Sequence, residues 1–199
     1  GSPGAPLPAL EMLVAEMLAI HFCSDREETA RVLAGLLAET DRRCREHQWV
    51  LSPEAVRVFW VNPVADLRAM NLLEDWGGRV CGADFMITHA LELIPEDLPP
   101  CEALARTALA DPMVGSTRDR ADRIIAQCRQ FAAEAVIVSR IPGASHCARE
   151  GEIIRQRVRQ ELGLPVLEWE VPSLVDPLLP TLGSRLQALL ETARLRRRR

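Results

Sequence analysis

Residues 135–170 read AVIVSRIPGASHCAREGEIIRQRVRQELGLPVLEWE, and this stretch decides the fold class. It opens with a run rich in β-branched residues, Ala135–Ser139, which is typical of a buried strand. A loop and a helix from Ala148 to Leu162 follow, and Gly163 is a helix C-cap signal. Pro165–Glu170 then predicts a second strand. A helix between two strands indicates a parallel pair, because a parallel connection has to cross the face of the sheet.

The same pattern occurs further upstream. Val56–Val61 is rich in β-branched and aromatic residues and ends at Asn62-Pro63, as a strand does. Asp66–Trp76 has a helical pattern and stops at a glycine pair, before a short predicted strand at Arg79–Cys81. Strands and helices alternate, which predicts a Rossmann-like α/β domain: a mostly parallel sheet of about four strands flanked by helices on both faces.

The remaining segments are helical or irregular. Residues 94–116 contain four prolines around one short helical segment, which predicts an excursion from the regular pattern. Thr117 begins a helix that leads to the strand at Ala135, and Leu182–Arg196 is a closing helix. Pro8–Ile20 and Arg26–Glu46 predict an N-terminal helical hairpin. The predicted buried stripe of its second helix consists of Val32, Leu33, Leu36 and Leu37.

These patterns divide the chain in two. Residues 1–50 form the predicted N-terminal helical segment, and residues 51–199 form the Rossmann-like α/β domain. Gly1-Ser2-Pro3-Gly4 resembles a cloning remnant, and a helix begins almost directly after it. We therefore expect that an upstream part of the natural protein is missing.

Composition excludes several classes of protein. The 199 residues are 48% hydrophobic, enough to bury a sizeable core. The formal charge is −4, and the one basic run is Arg194–Arg199, so the sequence does not favour nucleic-acid binding. No apolar run approaches the roughly 20 residues that cross a bilayer, and no signal segment is evident. We predict a cytoplasmic protein without membrane contact.

Three loops at the predicted carboxyl edge of the sheet are candidates for a binding site, because open parallel sheets bind ligands there. They are Asn62-Pro63, the loop from Asp84 to His89, and the loop from Arg140 to Cys147. The last loop holds Arg140, Ser145, His146 and Cys147 before a helix N-terminus. The positive end of that helix dipole would favour a thiolate or an anion. A plain surface loop with a helix cap is the alternative.

Familiar motifs are absent from the sequence. There is no phosphate-binding loop, no dinucleotide fingerprint and no HExxH zinc motif. The six cysteines include no CxxC pair, so neither structural zinc nor a disulfide framework is indicated. In a reducing compartment each cysteine is expected to be a small buried apolar residue. No catalytic residue can be named from these patterns.

The order of landmarks over residues 50–195 resembles the C-terminal lobe of subunits in the 2-hydroxyacyl-CoA dehydratase and benzoyl-CoA reductase family. A strand ends at Asn-Pro, a helix ends at Gly-Gly, and a short strand leads to Asp84. An arginine-bearing helix, a hydrophobic strand with a downstream cysteine, a Gly-x-Pro-Val-Leu strand and a terminal helix follow. These landmarks are Val56–Pro63, Gly77-Gly78, Asp84, Arg118–Arg123, Ala135–Cys147, Gly163–Glu170, and Arg185 with Glu191.

The resemblance implies an iron–sulfur enzyme of anaerobic metabolism that acts by one-electron reduction of an acyl-CoA thioester. Family subunits form a dimer or heterodimer with a related dehydratase subunit, and an ATP-dependent activator protein supplies the electron. Cys147 matches the last of three cysteines that hold a 4Fe–4S cluster, and is thus the implied metal ligand. The substrate contacts predicted from the three loops at the carboxyl edge of the sheet are Asn62, Asp84, Arg140, Ser145 and His146. Because this chain matches only one ligand, we expect it to bind no stable cluster alone.

Two other interpretations remain open. The chain could be a noncatalytic scaffold or binding subunit of the same fold that lacks the cluster. It could also be an unrelated doubly wound domain that binds a small anion. The sequence does not identify the acyl group or separate the dehydratase from the reductase branch.

Overall fold

The computed structural model describes residues 3–21, 25–85, 87–111, 114–143, 145–173 and 179–198. The side chains of residue 88, residues 145–149 and residue 179 lie outside this description. The elements are α1 (Ala9–His21), α2 (Arg26–Arg45), β1 (Val56–Val61), α3 (Arg68–Asp75), β2 (Gly78–Asp84), a 3₁₀ turn (Thr88–Leu91), α4 (Pro100–Ala110), α5 (Thr117–Gln130), β3 (Ala135–Arg140), α6 (Ser145–Leu162), β4 (Val166–Glu170) and α7 (Leu179–Arg197).

The four strands form one sheet in the order β2-β1-β3-β4, and every neighbouring pair is parallel. In register, Val58 of β1 lies beside Ala135 of β3, and Val136 of β3 lies beside Val166 of β4. The predicted fold class is confirmed: this is an α/β sheet with helices on both faces and an N-terminal pair of helices. The proposed domain boundary near residue 50 stays a prediction.

Alternation along the strands divides the core into two layers. Trp60 of β1 faces a cluster that includes Leu73 of α3 and Leu186 of α7. Phe59, its neighbour, faces the opposite cluster, which includes Ile124 of α5 and Ile154 of α6. Because successive side chains of a strand point to opposite faces, both faces of the sheet are covered and β1 is buried on both sides.

Strand β2 is longer than predicted, since it runs to Asp84 rather than stopping at Cys81. Its pairing with β1 shifts between Val58 and Phe59, which leaves Cys81 as the extra residue of a bulge. A Cβ at Gly82 would lie 2.7 Å from Phe131 and 2.9 Å from Phe59. Only glycine therefore fits at this position of the strand. Because glycine has a low preference for strands, the sequence pattern did not extend the predicted strand beyond Cys81.

The N-terminal helices pack less tightly than predicted. The backbone N–H of Ala9, at the start of α1, donates to a carboxylate oxygen of Glu74 in α3 at 2.7 Å. In α2, however, Val32 is 46% exposed and Leu37 is 63% exposed, so the prediction that both belong to a buried stripe is wrong. Apolar spacing identified the helix, but the rest of the described chain does not cover that face.

Candidate functional site

The strand order places a topological switch point between β1 and β3. From these two adjacent strands the chain continues in opposite directions, to β2 through α3 and to β4 through α6. Helices α3 and α6 lie on opposite faces of the sheet, so the loops that follow β1 and β3 separate at their carboxyl ends. In open α/β sheets this switch point is the usual binding crevice. Asn62 follows β1 directly, and Ser139 lies near the end of β3.

Asn62 adopts a backbone conformation that few residues tolerate. Its φ is 66°, in the left-handed region, which asparagine visits more readily than other side chains that carry a Cβ. The residue is fully buried. Its amide Nδ2 donates to the carbonyl oxygen of Ser139 at 3.2 Å, and its Oδ1 accepts from Arg120 at 2.8 Å. These two bonds join the loop after β1 to both β3 and α5.

Arg120 is the centre of a buried polar network. Its side chain is 0% exposed, and Nε donates to Oδ2 of Asp84, at the end of β2, at 3.0 Å. One terminal nitrogen donates to Asn62, and the other donates to Oε2 of Glu150 in α6 at 2.5 Å. The guanidinium therefore fixes the ends of β1 and β2 relative to α6. Buried charges persist in proteins only when they are paired and hydrogen-bonded in this way.

The start of α5 determines where Arg120 lies. Ser116 caps this helix, since its hydroxyl accepts from the backbone N–H of Asp119 at 3.2 Å. The Asp119 carboxylate in turn accepts from the backbone N–H of Ser116 at 3.1 Å, which completes a capping box. The Ser116 hydroxyl also lies 2.7 Å from the Asp119 carboxylate, and this bond, together with the one from the Ser116 backbone N–H, lowers the pKa of Asp119. Arg120 follows Asp119 in the sequence, in the first turn of α5, where the capping box restricts the backbone.

Ser139 also holds the turn at Asn62. Its buried hydroxyl lies 2.7 Å from the carbonyl oxygen of Asn62, to which it can donate, and accepts from the indole Nε1 of Trp60 at 3.0 Å. Because both the donor and the acceptor function of this buried hydroxyl are satisfied, it holds the backbone turn at Asn62 in one arrangement. The turn is thus positioned by its own side chain, by Arg120 and by Ser139.

The structure separates the sequence-predicted site residues into two groups. Asn62 and Asp84 meet at Arg120, at the carboxyl edge of the sheet. Arg140 is the last residue of β3 rather than part of a loop, and its guanidinium lies 3.9 Å from Glu170. Glu170, its ion-pair partner, belongs to β4.

Helix α6 begins at Ser145, three residues before the predicted start. The backbones of Ser145, His146 and Cys147 therefore lie in its first turn, close after the end of β3. Their side chains lie outside the described part of the structure, so their predicted roles stay predictions.

Sequence reasoning missed Arg120, Ser139 and Glu150 as site residues. The segment Arg118–Arg123 was noted as a landmark, but nothing in its spacing separates a buried arginine from exposed ones. Arg118 is exposed, whereas Arg120 is buried. Helical periodicity measured on the apolar residues Ala121, Ile124 and Ile125 could have placed position 120 near the buried face.

A cavity of about 210 Å³ adjoins the network at the end of β2. Asp84, Arg123 and Gln127 line it together with His89 of the 3₁₀ turn. The Nε2 atom of His89 lies 2.8 Å from a carboxylate oxygen of Asp111, which orients the imidazole ring. The cavity offers hydrogen-bonding groups of both charge signs, which suits a polar part of a ligand.

The placed cysteines do not fit a metal cluster. Cys44, Cys81, Cys101 and Cys128 lie on α2, β2, α4 and α5, respectively, and are free thiols. Across the part of the chain that the structure describes, no three His, Cys, Asp or Glu side chains could hold one metal ion. Cys23 lies outside the described residues, and Cys147 could add only one thiolate.

Cysteine reactivity follows from burial. Burial raises the pKa of Cys81 to about 11 and that of Cys128 to about 12, although Arg79 and Arg57 oppose the shift at Cys81. At about pH 8 their thiolate fractions are on the order of one in a thousand or less, so we expect slow alkylation. Cys101 is exposed and should react well before both.

The predicted order of alkylation places Cys147 first, because helix N–H groups stabilise a thiolate. A brief iodoacetamide pulse with mass-spectrometric mapping checks the whole order. If Cys147 reacts no faster than Cys81 and Cys128, it is a packing residue and its match to the family ligand loses its physical support.

The sheet order defines a Rossmann-like α/β protein with a topological switch point between β1 and β3. The family model described as 2-hydroxyglutaryl-CoA dehydratase, D-component, matches residues 2–193. The chain belongs to this family, which confirms the resemblance seen in the sequence.

A search of curated proteins finds no match to the chain. None of the described helices has the length and apolar character needed to cross a membrane.

Proposed function

We propose that this chain is the part of a 2-hydroxyacyl-CoA dehydratase component that carries the C-terminal lobe, and that the crevice between β1 and β3 contributes to the acyl-CoA site. The family match over residues 2–193 carries the proposal. The network at Arg120 supports it, because left-handed turns of non-glycine residues and buried ion networks often occur at functional sites.

The residues of this chain act by binding and positioning. The buried bonds of Asn62 and Arg120 hold the crevice wall rigid, so a bound acyl group would meet a preorganised surface. Arg140 is 36% exposed at the end of β3, and its 3.9 Å contact with the exposed Glu170 is a weak surface pair. Its guanidinium is therefore free to move to an anionic group, such as a phosphate of coenzyme A.

In this family the low-potential electron comes from an iron–sulfur cluster, and an activator protein supplies the electron to that cluster. The placed cysteines of this chain do not form such a site, so we propose that most cluster ligands come from another lobe or from a partner subunit of the dehydratase complex. Such a partner is expected of a family that is described as one component of an enzyme.

Anaerobic purification of the chain, alone and with a related partner subunit, tests the cluster. We expect iron and sulfide only in the complex, because this chain matches at most one thiolate ligand and a cluster needs three or four. An iron-containing preparation of the chain alone would contradict this expectation. An intact complex that holds no iron would instead support the noncatalytic scaffold.

The role of Arg140 is tested in the same complex by equilibrium binding of a 2-hydroxyacyl-CoA. Arg140→Gln is expected to weaken binding by about tenfold, since it removes a charge-assisted bond to a phosphate. Arg118→Gln is the matched control, because Arg118 is also exposed but lies on α5. Equal affinities of the two variants for the 2-hydroxyacyl-CoA would show that Arg140 does not bind it.

A further inference from the structure

Helix α2 has one face that the described part of the chain leaves uncovered. Of the 20 residues of this helix, only Thr29 is buried. Nearly opposite Thr29, six exposed residues follow one another at alternating spacings of four and three, and we call them the α2 stripe: Glu27, Arg31, Ala34, Ala38, Asp41 and Arg45. This spacing keeps them in one line along about five turns of helix, roughly 27 Å, and it is the spacing by which one helix packs along another.

The middle of the α2 stripe is open to close contact. Ala34 and Ala38 lie at its centre and have the smallest side chains that carry a Cβ. Gly35 borders them on one side, and a Cβ added there would meet nothing within 4 Å. Leu37 borders them on the other side and is 63% exposed. Because the distance between two packed helices depends on the size of the contacting side chains, a second helix could approach α2 closely here.

The charges of the α2 stripe are complementary to their own reverse. From the N-terminal to the C-terminal end they are negative, positive, negative and positive: Glu27, Arg31, Asp41 and Arg45. In an antiparallel copy centred on residue 36, position 27 lies opposite position 45, and position 31 lies opposite position 41. Every charge then meets its opposite, whereas a parallel copy in register would place like charges together.

These charged side chains can take part in such pairs. Among the described residues, neither the Glu27 nor the Asp41 carboxylate forms an ion pair. The Arg45 Nε donates to the backbone carbonyl of Asp41 at 3.4 Å, a contact that involves no carboxylate. Arg31 contacts Glu28 within the helix, but the two side chains are 76% and 50% exposed, so this pair is weak and can exchange for another.

We propose that α2 is a self-association surface, on which α2 of a second copy of this chain packs antiparallel. Ala34 of each chain then lies opposite Ala38 of the other, and Glu27 lies opposite Arg45. The two copies of Leu37 meet along one edge of the contact, which removes apolar surface from water. The interface is isologous, with its two-fold axis near residue 36. The proposal does not depend on the proposed function, because α2 lies outside the crevice between β1 and β3.

Sedimentation equilibrium of the full chain tests the association. A single helix pair buries less than the roughly 1,200–2,000 Å² of a stable interface, so we expect a reversible dimer with a Kd of about 10–100 μM. Since exposed ion pairs contribute, raising the salt concentration should weaken the dimer several-fold. A chain that stays monomeric up to about 1 mM would overturn the proposal and leave this face to a different partner, such as the related dehydratase subunit.

Charge reversal tests the antiparallel arrangement. Glu27→Arg and Arg45→Glu should each weaken the dimer by about tenfold or more, because each makes both symmetry-related pairs repulsive. An equimolar mixture of the two variants should associate again, since the arginine introduced at position 27 of one chain meets the glutamate introduced at position 45 of the other. Arg118→Glu, an exposed reversal on α5, is the matched control and should dimerise as the wild type does.

Recovery in the mixture separates the proposed contact from an effect on folding, because a chain damaged by its own substitution would not regain association from another variant. Circular dichroism of each variant checks that the helix content is unchanged. A mixture that associates no better than either variant alone would overturn the antiparallel pairing. Wild-type association of both single variants would show that α2 is not the interface.

Discussion

Replacement of Arg120 by methionine is expected to lower the free energy of unfolding by about 3–5 kcal/mol, the usual loss when one partner of a buried ion network is removed. The side chain is 0% exposed, and it holds the carboxylates of Asp84 and Glu150 together with the Asn62 amide. Without the guanidinium, two carboxylates remain close together in a poorly hydrated place. Urea unfolding, followed by tryptophan fluorescence, measures the change.

Arg118→Met is the matched control for this experiment. Arg118 lies two positions earlier on α5 and is exposed, so its replacement should change stability by no more than about 0.5 kcal/mol. Adding Asp84→Asn and Glu150→Gln to Arg120→Met should restore part of the loss, because both substitutions remove the charges left behind. A small effect of Arg120→Met, equal to that of the control, would mean that the network does not hold the strand ends.

Replacement of Asn62 by valine is expected to cost about 3 kcal/mol or more, for two separable reasons. Valine cannot make the bonds to Ser139 and Arg120, and its β-branched side chain is strongly disfavoured at a φ of 66°. Asn62→Gly separates the loss of hydrogen bonds from the backbone strain, because glycine also loses the bonds but adopts this φ without strain.

We expect Asn62→Gly to be the more stable of the two variants by at least about 1 kcal/mol, the approximate cost of the left-handed conformation for a residue with a Cβ. Chemical unfolding of both proteins measures this difference. Equal stabilities would show that the turn relaxes when the side chain is replaced, and that Asn62 is not held in a strained conformation. The same two variants also test whether a rigid turn at Asn62 matters for binding. If the turn relaxes, the complex with the partner subunit should bind acyl-CoA more weakly.

The limits of sequence reasoning are clearest at α2 and β2. Apolar spacing predicted the helix at Arg26–Arg45, but the exposure of Val32 and Leu37 depends on what packs against it. Burial cannot be read from spacing when no neighbouring element is known. Strand β2 was predicted too short because Gly82 has no strand preference of its own. Its conformation follows from pairing with β1 and from the approach of Phe131.

The sequence by itself determined the alternation of strands and helices, the parallel sheet and the family, because these depend on local preferences, apolar periodicity and the order of landmarks along the chain. It also located Asn62 and Asp84, both of which follow predicted strands. Only the tertiary structure selected Arg120 among the arginines of α5 and placed Glu150 and Ser139 near it. These contacts join residues far apart in sequence, so their energies depend on strand order, register and burial, which no local pattern encodes.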